Sequence, residues 1–549
     1  MSLRSGLRFL WKGLKVGYLT GGIWDLPRFF KKEVREIVRR EGLSAHTLYS
    51  IYAHLHGERI AFKDPFRSLT FLQARDEIHS LAVGFYELGV RKGDRVILAM
   101  ENRVEYLITL FALANLTASA VHASFRLTPE EFRHILSHSG ARFVVGGERS
   151  LSSLQELRKT GFPFTHISLG EGGDVRYEDL LKKGKISSSL PREGRAGRRN
   201  ALNFVYTSGT TGVPRAAYRD FRSVSLPDIL GFLERVPFRA KENHLVVAPL
   251  YHSAPQAFAY MHCALGSTLF LLPDFDPSLF WRVLQEEKIT SVFLVPTMVY
   301  RILEKAPTPL PDLSSFRVLL VGAAPFPHPL REKAMKVFGE EKVFEFYGAT
   351  ELGWVTVISG KEMKKKIGSV GRPVPGTTVK IFNEEGKELP PGEVGLIYAK
   401  NGITMVEYDR DPEETSRIRR GDFLTVEDLG YLDPDGYLYL QGRKKDMIIS
   451  GGVNIYPQEI ERVLLQHPSV KDIAVLGVPD PEWGEKVVAV VVPEGSPPPP
   501  EELSEYAKKS LAGFKIPREW HFWEELPRNP TGKVLKREIQ KALSLNRGS

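Results

Sequence analysis

Asn203-Phe204-Val205-Tyr206-Thr207-Ser208-Gly209-Thr210-Thr211-Gly212-Val213-Pro214-Arg215 begins apolar and turns abruptly into hydroxyls and glycines. Residues 201–206 read as a short buried strand. Gly209 and Gly212 let the backbone turn tightly and approach a ligand closely. Thr207, Ser208, Thr210 and Thr211 supply hydroxyls, and successive exposed N–H groups make a nest for anionic oxygens. Arg215 adds a positive charge. A Walker-type loop requires G-x-x-x-x-G-K-[ST]. Here the glycines are three apart and no Lys-Ser/Thr follows, so this is a different phosphate loop. Taken alone, such a run is more often a flexible turn than a binding site.

Outward from this loop the chain alternates. Strands are expected at 246–248, 268–272, 291–295 and 318–321, with helical patterns at 277–287 and 297–305. This alternation argues for α/β architecture. From residue 373 the texture changes to short strands and turns. Residues 430–440 form a hairpin around Pro434-Asp435-Gly436. A helix starts at Pro457, and Val-rich strands follow at 473–478 and 487–492. A domain boundary falls near 443–446. The expected fold is a large N-terminal α/β domain of sheets packed with helices, a small β-rich subdomain, and a small mobile α+β C-terminal domain. The divisions are 1–44, 45–443 and 444–549.

The 549 residues correspond to about three or four domain-sized units. Apolar and charged fractions of 42% and 26% exclude wholesale disorder and a polytopic membrane protein. A single cysteine, Cys263, excludes a disulfide framework and multi-Cys metal sites, and reads as a core thiol. The net charge of +9 is local: residues 1–42 and 181–200 each carry +6, which leaves the remainder at −3. A nucleic-acid enzyme would spread its basic residues over the fold, so no nucleic-acid partner is expected. Residues 1–42 interleave aromatics with Lys and Arg, as a helix in a lipid headgroup layer does; a packed helix pair with a basic solvated face fits equally well. Residues 106–125 and 244–273 lack charged side chains. The first reads as a buried helix then a buried strand; in the second, Pro249, Pro255 and Gly266 would break a spanning helix.

Further motifs follow the loop in order. Gly322-Ala323-Ala324 comes directly after a strand, where small residues allow a flat ring against the backbone. Tyr347-Gly348-Ala349-Thr350-Glu351 combines an aromatic face, a hydroxyl and a carboxylate, the last a hard oxygen ligand for Mg²⁺. Asp428 precedes the hairpin and Arg443 follows it. Lys533 lies in Asn529-Pro530-Thr531-Gly532-Lys533, a turn that presents an ammonium. With Asp446-Met447-Ile448-Ile449-Ser450-Gly451-Gly452-Val453-Asn454-Ile455-Tyr456-Pro457, these motifs make the chain resemble the adenylate-forming (ANL) superfamily, specifically an AMP-forming acyl-CoA synthetase, over roughly residues 45–549.

The resemblance implies activation of a carboxylic acid with ATP, then thioester formation with CoA. It implies that Thr207, Ser208, Gly209, Thr210, Thr211 and Gly212 hold the β- and γ-phosphates. Gly322, Ala323, Ala324, Tyr347 and Gly348 would surround adenine. Thr350 would contact phosphate, Glu351 would bind Mg²⁺, and Asp428 and Arg443 would bind ribose. Lys533 would contact the acid's carboxylate and the α-phosphate. Lys445 takes the hinge position about which the C-terminal domain rotates, and Gly451 and Gly452 would line the pantetheine tunnel. His252, Gly353 and Trp354 would border the acyl pocket; His252 reads equally as a hydrogen-bonded core histidine. Two positions depart from the usual pattern: Arg215 stands where lysine is usual, and Glu427 where glycine is usual. The expected substrate is a medium- to long-chain fatty acid, with an aryl acid or a carrier-protein acceptor as alternatives. A luciferase-like oxidase, a non-catalytic acyl or nucleotide binder and a membrane uptake protein fit less well. A cytoplasmic location, with peripheral membrane contact through residues 1–42, is expected; a homodimer is compatible with the sequence.

Overall fold

The computed structural model describes residues 20–21, 31–41, 45–186, 203–208, 214–219, 226–528 and 532–545. The tip of the phosphate loop, 209–213, most of the N-terminal extension and the basic stretch 187–202 lie outside the described residues. The chain divides into two units. The first gathers Met1–Phe293, Ala306–Leu319 and Gly402–Arg417; the second gathers Leu294–Lys305, Leu320–Asn401 and Ile418–Ser549.

In the first unit an eight-stranded sheet runs Glu407–Tyr408, Pro214–Arg219, Asn203–Ser208, Ser119–His122, Arg95–Ala99, Phe143–Gly146, Thr165–Ser168, Val175–Arg176. Every pairing from Asn203–Ser208 onward is parallel. Parallel strands need crossovers, which helices Val104–Leu116, Pro129–Ser139 and Leu151–Lys159 provide. Helix Pro129–Ser139 is set by a capping box between Thr128 and Glu131, by proline in its first turn and by Gly140 at its end (φ 66°). Helix Val104–Leu116 is buried along almost its whole length and ends at Thr117 (φ 56°) before strand Ser119–His122. This is the buried helix–strand pair expected for 106–125. Among the described residues no helix is long and apolar enough to cross a membrane. A second group of strands in this unit runs Ser68–Thr70, Ile60–Lys63, Thr268–Leu271 and Asn243–Val246, followed by Ser291–Leu294, whose last residue is counted with the second unit. The strand expected at 246–248 thus lies earlier, because the chain leaves the sheet ahead of Pro249, which lacks an N–H for the ladder.

The second unit holds an antiparallel run of Val343–Ala349, Gly353–Ser359, Ser369–Pro373, Leu438–Arg443, Asp428–Leu432 and Gly395–Lys400. It also holds a separate sheet of Val453–Ile455, Ile448–Ser450, Gly484–Pro493 and Val470–Asp480, with Glu519–Phe522 on Gly484–Pro493. Helices Pro457–Leu464, Pro500–Lys508 and Lys536–Leu545 accompany this second sheet, an α+β arrangement. Its two central strands are longer than the expected 473–478 and 487–492: polar Asp472, Glu485 and Lys486 continue the ladder, and Lys471 lies at a register shift between Val470 and Asp472. Buried residues line both faces, with Ile473, Val475, Val487 and Val491 on one side and Ala474, Leu476, Val488 and Val490 on the other.

Candidate active site

The strands on either side of the expected phosphate loop, Asn203–Ser208 and Pro214–Arg219, pair antiparallel. Thr207 and Ser208 are still strand residues, with Thr207 opposite Arg215 and Ser208 opposite Pro214. The expected strand therefore runs two residues further, and both ends of the loop are tied to a sheet. Arg215 departs from its expected role as a charge for phosphate. Its Nε donates to Asp411 at 3.1 Å and its Nη1 to Glu414 at 2.9 Å, so two carboxylates neutralise it. Strand Glu407–Tyr408, which leads to those carboxylates, pairs with Pro214–Arg219.

Gly322-Ala323-Ala324 follows strand Val318–Val321. A Cβ on Gly322 would lie 2.5 Å from the Phe346 ring, so the missing side chain makes room for that ring. Ala323 has φ 69°, a strained value for a residue with a Cβ.

Tyr347 and Gly348 lie on Val343–Ala349, and Gly353 and Trp354 on Gly353–Ser359, the two arms of one hairpin. Thr350 and Glu351 form its turn, which Leu352 N–H closes by donating to Ala349 O at 3.2 Å. A Cβ on Gly348 would lie 2.1 Å from Gly353 O, so only glycine lets the arms approach this closely. Asn401, which sequence reading missed, braces the turn: its Nδ2 donates to Leu352 O (3.1 Å) and Trp354 O (3.2 Å). Nothing in the spacing of residues 352 and 401 signals this contact.

Strands Asp428–Leu432 and Leu438–Arg443 place Asp428 opposite Arg443. Arg443 Nε lies 3.2 Å from Asp428 Oδ1, and the Tyr347 hydroxyl donates to Asp428 Oδ2 at 2.8 Å. Burial raises the Asp428 carboxyl above its ordinary range, against the opposing pull of Arg443, Tyr347 and Lys533. Burial, then Asp428, pushes the Tyr347 phenol up. Lys533 lies in the same field: burial and Arg443 push its ammonium down to about 8, while Asp428 and Asp446 pull the other way. The structure thus brings together Tyr347, Asp428, Arg443 and Lys533, with Lys445 and Glu351 in electrostatic range of the group.

The backbone around Lys533 is fixed on both sides. A Cβ on Gly532 would lie 2.4 Å from Thr297 Oγ1 at the start of helix Pro296–Glu304. Arg528 donates to Gly532 O and pairs with Asp472. Lys536 donates to Glu461 Oε1 at 2.8 Å and to Val475 O at 2.7 Å.

Lys445 lies in a short 3₁₀ turn, Lys444–Asp446, directly after the Arg443 strand. Gly451 (φ 57°) and Gly452 (φ 78°) form the two-residue tip between Ile448–Ser450 and Val453–Ile455, a geometry that favours glycine at both positions. A Cβ on Gly451 would press to 3.0 Å on the Trp483 ring.

His252 belongs to the first unit. It caps helix Ser253–Ala264 without a side-chain capping bond. Burial lowers its imidazole to about 4, so the ring is neutral at pH 7. Among the described residues its Nε2 is buried without a hydrogen-bond partner. Cys263 is buried, with its thiol pushed up to about 12, as befits a core thiol.

For a metal, the described residues contain no group of three or more His, Cys, Asp or Glu side chains able to hold one. Glu351 is a single buried carboxylate in a turn. That donor set fits Mg²⁺, which commonly keeps one or two protein carboxylates and takes the rest of its ligands from phosphates and water.

Comparison with known proteins agrees with this picture. Residues 51–408 match the model of the AMP-binding enzyme family, and 459–533 that of the AMP-binding enzyme C-terminal domain. The chain belongs to this adenylate-forming family and is an AMP-forming acid–thiol ligase. It is 32% identical to long-chain-fatty-acid–CoA ligase FadD13 of Mycobacterium tuberculosis, over 87% of this chain and 93% of that protein. It is 35% identical to feruloyl-CoA synthase of an Amycolatopsis species, over 86% and 94%. Among solved structures, o-succinylbenzoate CoA synthetase of Bacillus subtilis, in complex with its acyl-adenylate intermediate, superposes with a TM-score of 0.78 at 28% identity, covering 90% of this chain and 97% of that one.

Proposed function

We propose that the chain activates a medium- to long-chain fatty acid and transfers the acyl group to CoA. A carboxylate oxygen of the acid attacks the α-phosphorus of ATP, the bond to the bridging oxygen breaks, and pyrophosphate leaves. The CoA thiolate then attacks the acyl carbonyl, and AMP leaves with the carboxylate oxygen that carried phosphorus. The observation that carries this reading is the cluster of Tyr347, Asp428 and Arg443 with Lys533. In it, Asp428 and Arg443 bind the ribose hydroxyls and Lys533 lowers the repulsion between two approaching anions. Thr207–Gly212 hold the β- and γ-phosphates. Adenine lies by Gly322, Ala323, Ala324, Tyr347 and Gly348, and Thr350 contacts phosphate. Glu351 would hold Mg²⁺, which supplies further neutralisation of phosphate charge when bound. His252, Gly353 and Trp354 border the acid, Lys445 is the hinge, and Gly451 and Gly452 border the pantetheine arm.

The fatty-acid reading is supported by the uncharged interval 244–273 and by the similarity to FadD13. Similarity to a feruloyl-CoA synthase favours a second reading, an aryl acid. ATP–pyrophosphate exchange over a panel of fatty and aryl acids, followed by CoA-dependent AMP release, separates them. Exchange confined to aryl acids overturns the first reading; exchange with no acid overturns both. We also propose peripheral contact with anionic lipid through residues 1–42. Helix Lys32–Glu41 buries Val34 and exposes Lys32, Arg35 and Arg39, with exposed Lys31 just before it. Deleting 1–42 should abolish salt-sensitive co-sedimentation with phosphatidylserine vesicles and spare ligase activity in detergent.

A further inference from the structure

Strand Asn243–Val246 ends in Val247-Ala248-Pro249-Leu250-Tyr251-His252, a buried stretch without ladder partners along most of its length. Backbone groups in such a stretch must find hydrogen bonds elsewhere. One side chain from a different strand end provides three of them, and Gln256 Nε2 adds a longer one to Leu250 O at 3.5 Å. Asn102, 4% exposed just past strand Arg95–Ala99, donates through Nδ2 to Val247 O (3.2 Å) and Ala248 O (3.1 Å). Its Oδ1 accepts from Leu250 N–H at 2.8 Å. Leu250 lies inside a turn that His252 N–H closes on Pro249 O at 3.1 Å. The same His252 then caps helix Ser253–Ala264 and carries the buried, unpartnered Nε2. One amide therefore ties down the segment leading to a ring nitrogen that has no hydrogen-bond partner among the described residues.

We infer that Asn102 is a positioning residue: it acts through the 247–250 backbone to hold His252 Nε2 where the carboxyl end of the acid arrives. This rests on the reading of His252 given under the proposed function. An amide is the only ordinary side chain that offers two donors and an acceptor on one rigid plane. Alanine removes all three bonds and serine restores at most one or two. Aspartate would turn the donor face into an acceptor facing two carbonyls.

The test is a double-mutant cycle in the full-length enzyme, with kcat/KM measured for decanoate and, in parallel, for ferulate, and with KM for ATP as an internal reference. Asn102→Ala should lower kcat/KM for the acid about tenfold or more and leave KM for ATP within about twofold. Asn102→Ser should fall between, and remains informative if the alanine variant fails to fold. Where Asn102 acts through His252, Asn102→Ala combined with His252→Ala loses little more than His252→Ala alone, since coupled sites are non-additive. Additive losses, or equal rises in KM for acid and ATP, overturn the inference and leave Asn102 as a structural residue. If His252→Ala has no effect on the acid parameters, the reading of His252 fails first and takes the inference with it.

Discussion

Lys533 shows how burial shapes a functional charge. With its ammonium pushed down to about 8, the free enzyme loses the protonated form as pH rises through that value. Pyrophosphate exchange at limiting ATP should therefore fall with an apparent pKa near 8, and Lys533→Ala should abolish exchange while acyl transfer from preformed acyl-adenylate continues. Stability moves the other way. A lysine depressed in the folded state weakens the fold below that pKa, and the penalty fades as pH rises toward its ordinary 10.5. Lys533→Met should thus raise Tm at pH 7, a gain on the order of 1–2 kcal/mol after allowance for partial exposure, and the gain should shrink by pH 10. Arg215 is a second case. The sequence motif marks it as a loop cation, yet Asp411 and Glu414 hold it. Residues in the four-hundreds are invisible from the motif, so no local reading finds them. Arg215→Lys cannot reproduce the two-point geometry and should lower Tm by a few degrees. Arg215→Ala should cost more, because it leaves Asp411 and Glu414 crowded without that cation, although Arg417 still pairs with Glu414.

At the scale of elements, motif residues legible in the sequence turn out to be turns whose geometry the ladder sets. Thr350 and Glu351 are the tip of a hairpin, and Gly451-Gly452 the tip of another. Gly322 and Gly451 were readable as positions where the backbone passes close to a ligand; the protein groups that these glycines, Gly348 and Gly532 approach were not. Gly451 makes room for Trp483, Gly348 for a facing carbonyl, Gly322 for Phe346, and Gly532 for Thr297. Gly451→Ala meets both a left-handed φ and the indole, and should destabilise by about 1 kcal/mol or more, seen as a lower denaturant midpoint with an unchanged m-value. Lys445 lies in the short turn between the Arg443 strand and the next sheet. As the proposed hinge, Lys445→Pro should slow thioester formation from preformed acyl-adenylate and spare pyrophosphate exchange; equal loss of both half-reactions removes that assignment. The strands at 268–271, 291–294 and 318–321 were readable because strands buried on both faces are continuous apolar runs; their partners and their order in the sheets were not. In the antiparallel pair Val470–Asp480 and Gly484–Pro493 the ends were not readable, because polar residues such as Asp472 and Glu485 continue a ladder that periodicity cuts short.

For the molecule as a whole, buried imidazoles set the acid limit. His122, His166 and His252 are lowered to about 4 and His244 to about 3, each chiefly by burial. In the unfolded chain each returns to its ordinary value near 6.5, so the folded state binds fewer protons. Stability is full above that value and is lost as pH falls from there toward 4, by about 1.4 kcal/mol per pH unit for each such group. Tm recorded between pH 7.5 and 5 should therefore drop steeply below pH 6; a flat profile would show these rings protonate without unfolding. The two-unit division was beyond sequence reading for a plain reason: each unit is assembled from three separate stretches of chain. Helix Pro296–Glu304 belongs to the second unit, with Thr297 against Gly532 and Lys471 Nζ 5.5 Å from the Tyr300 ring centroid. During synthesis on the ribosome this helix emerges long before either partner exists. Its docking face must wait, uncovered, through much of translation, so folding of the second unit should be more sensitive than that of the first to elongation speed and to chaperone supply.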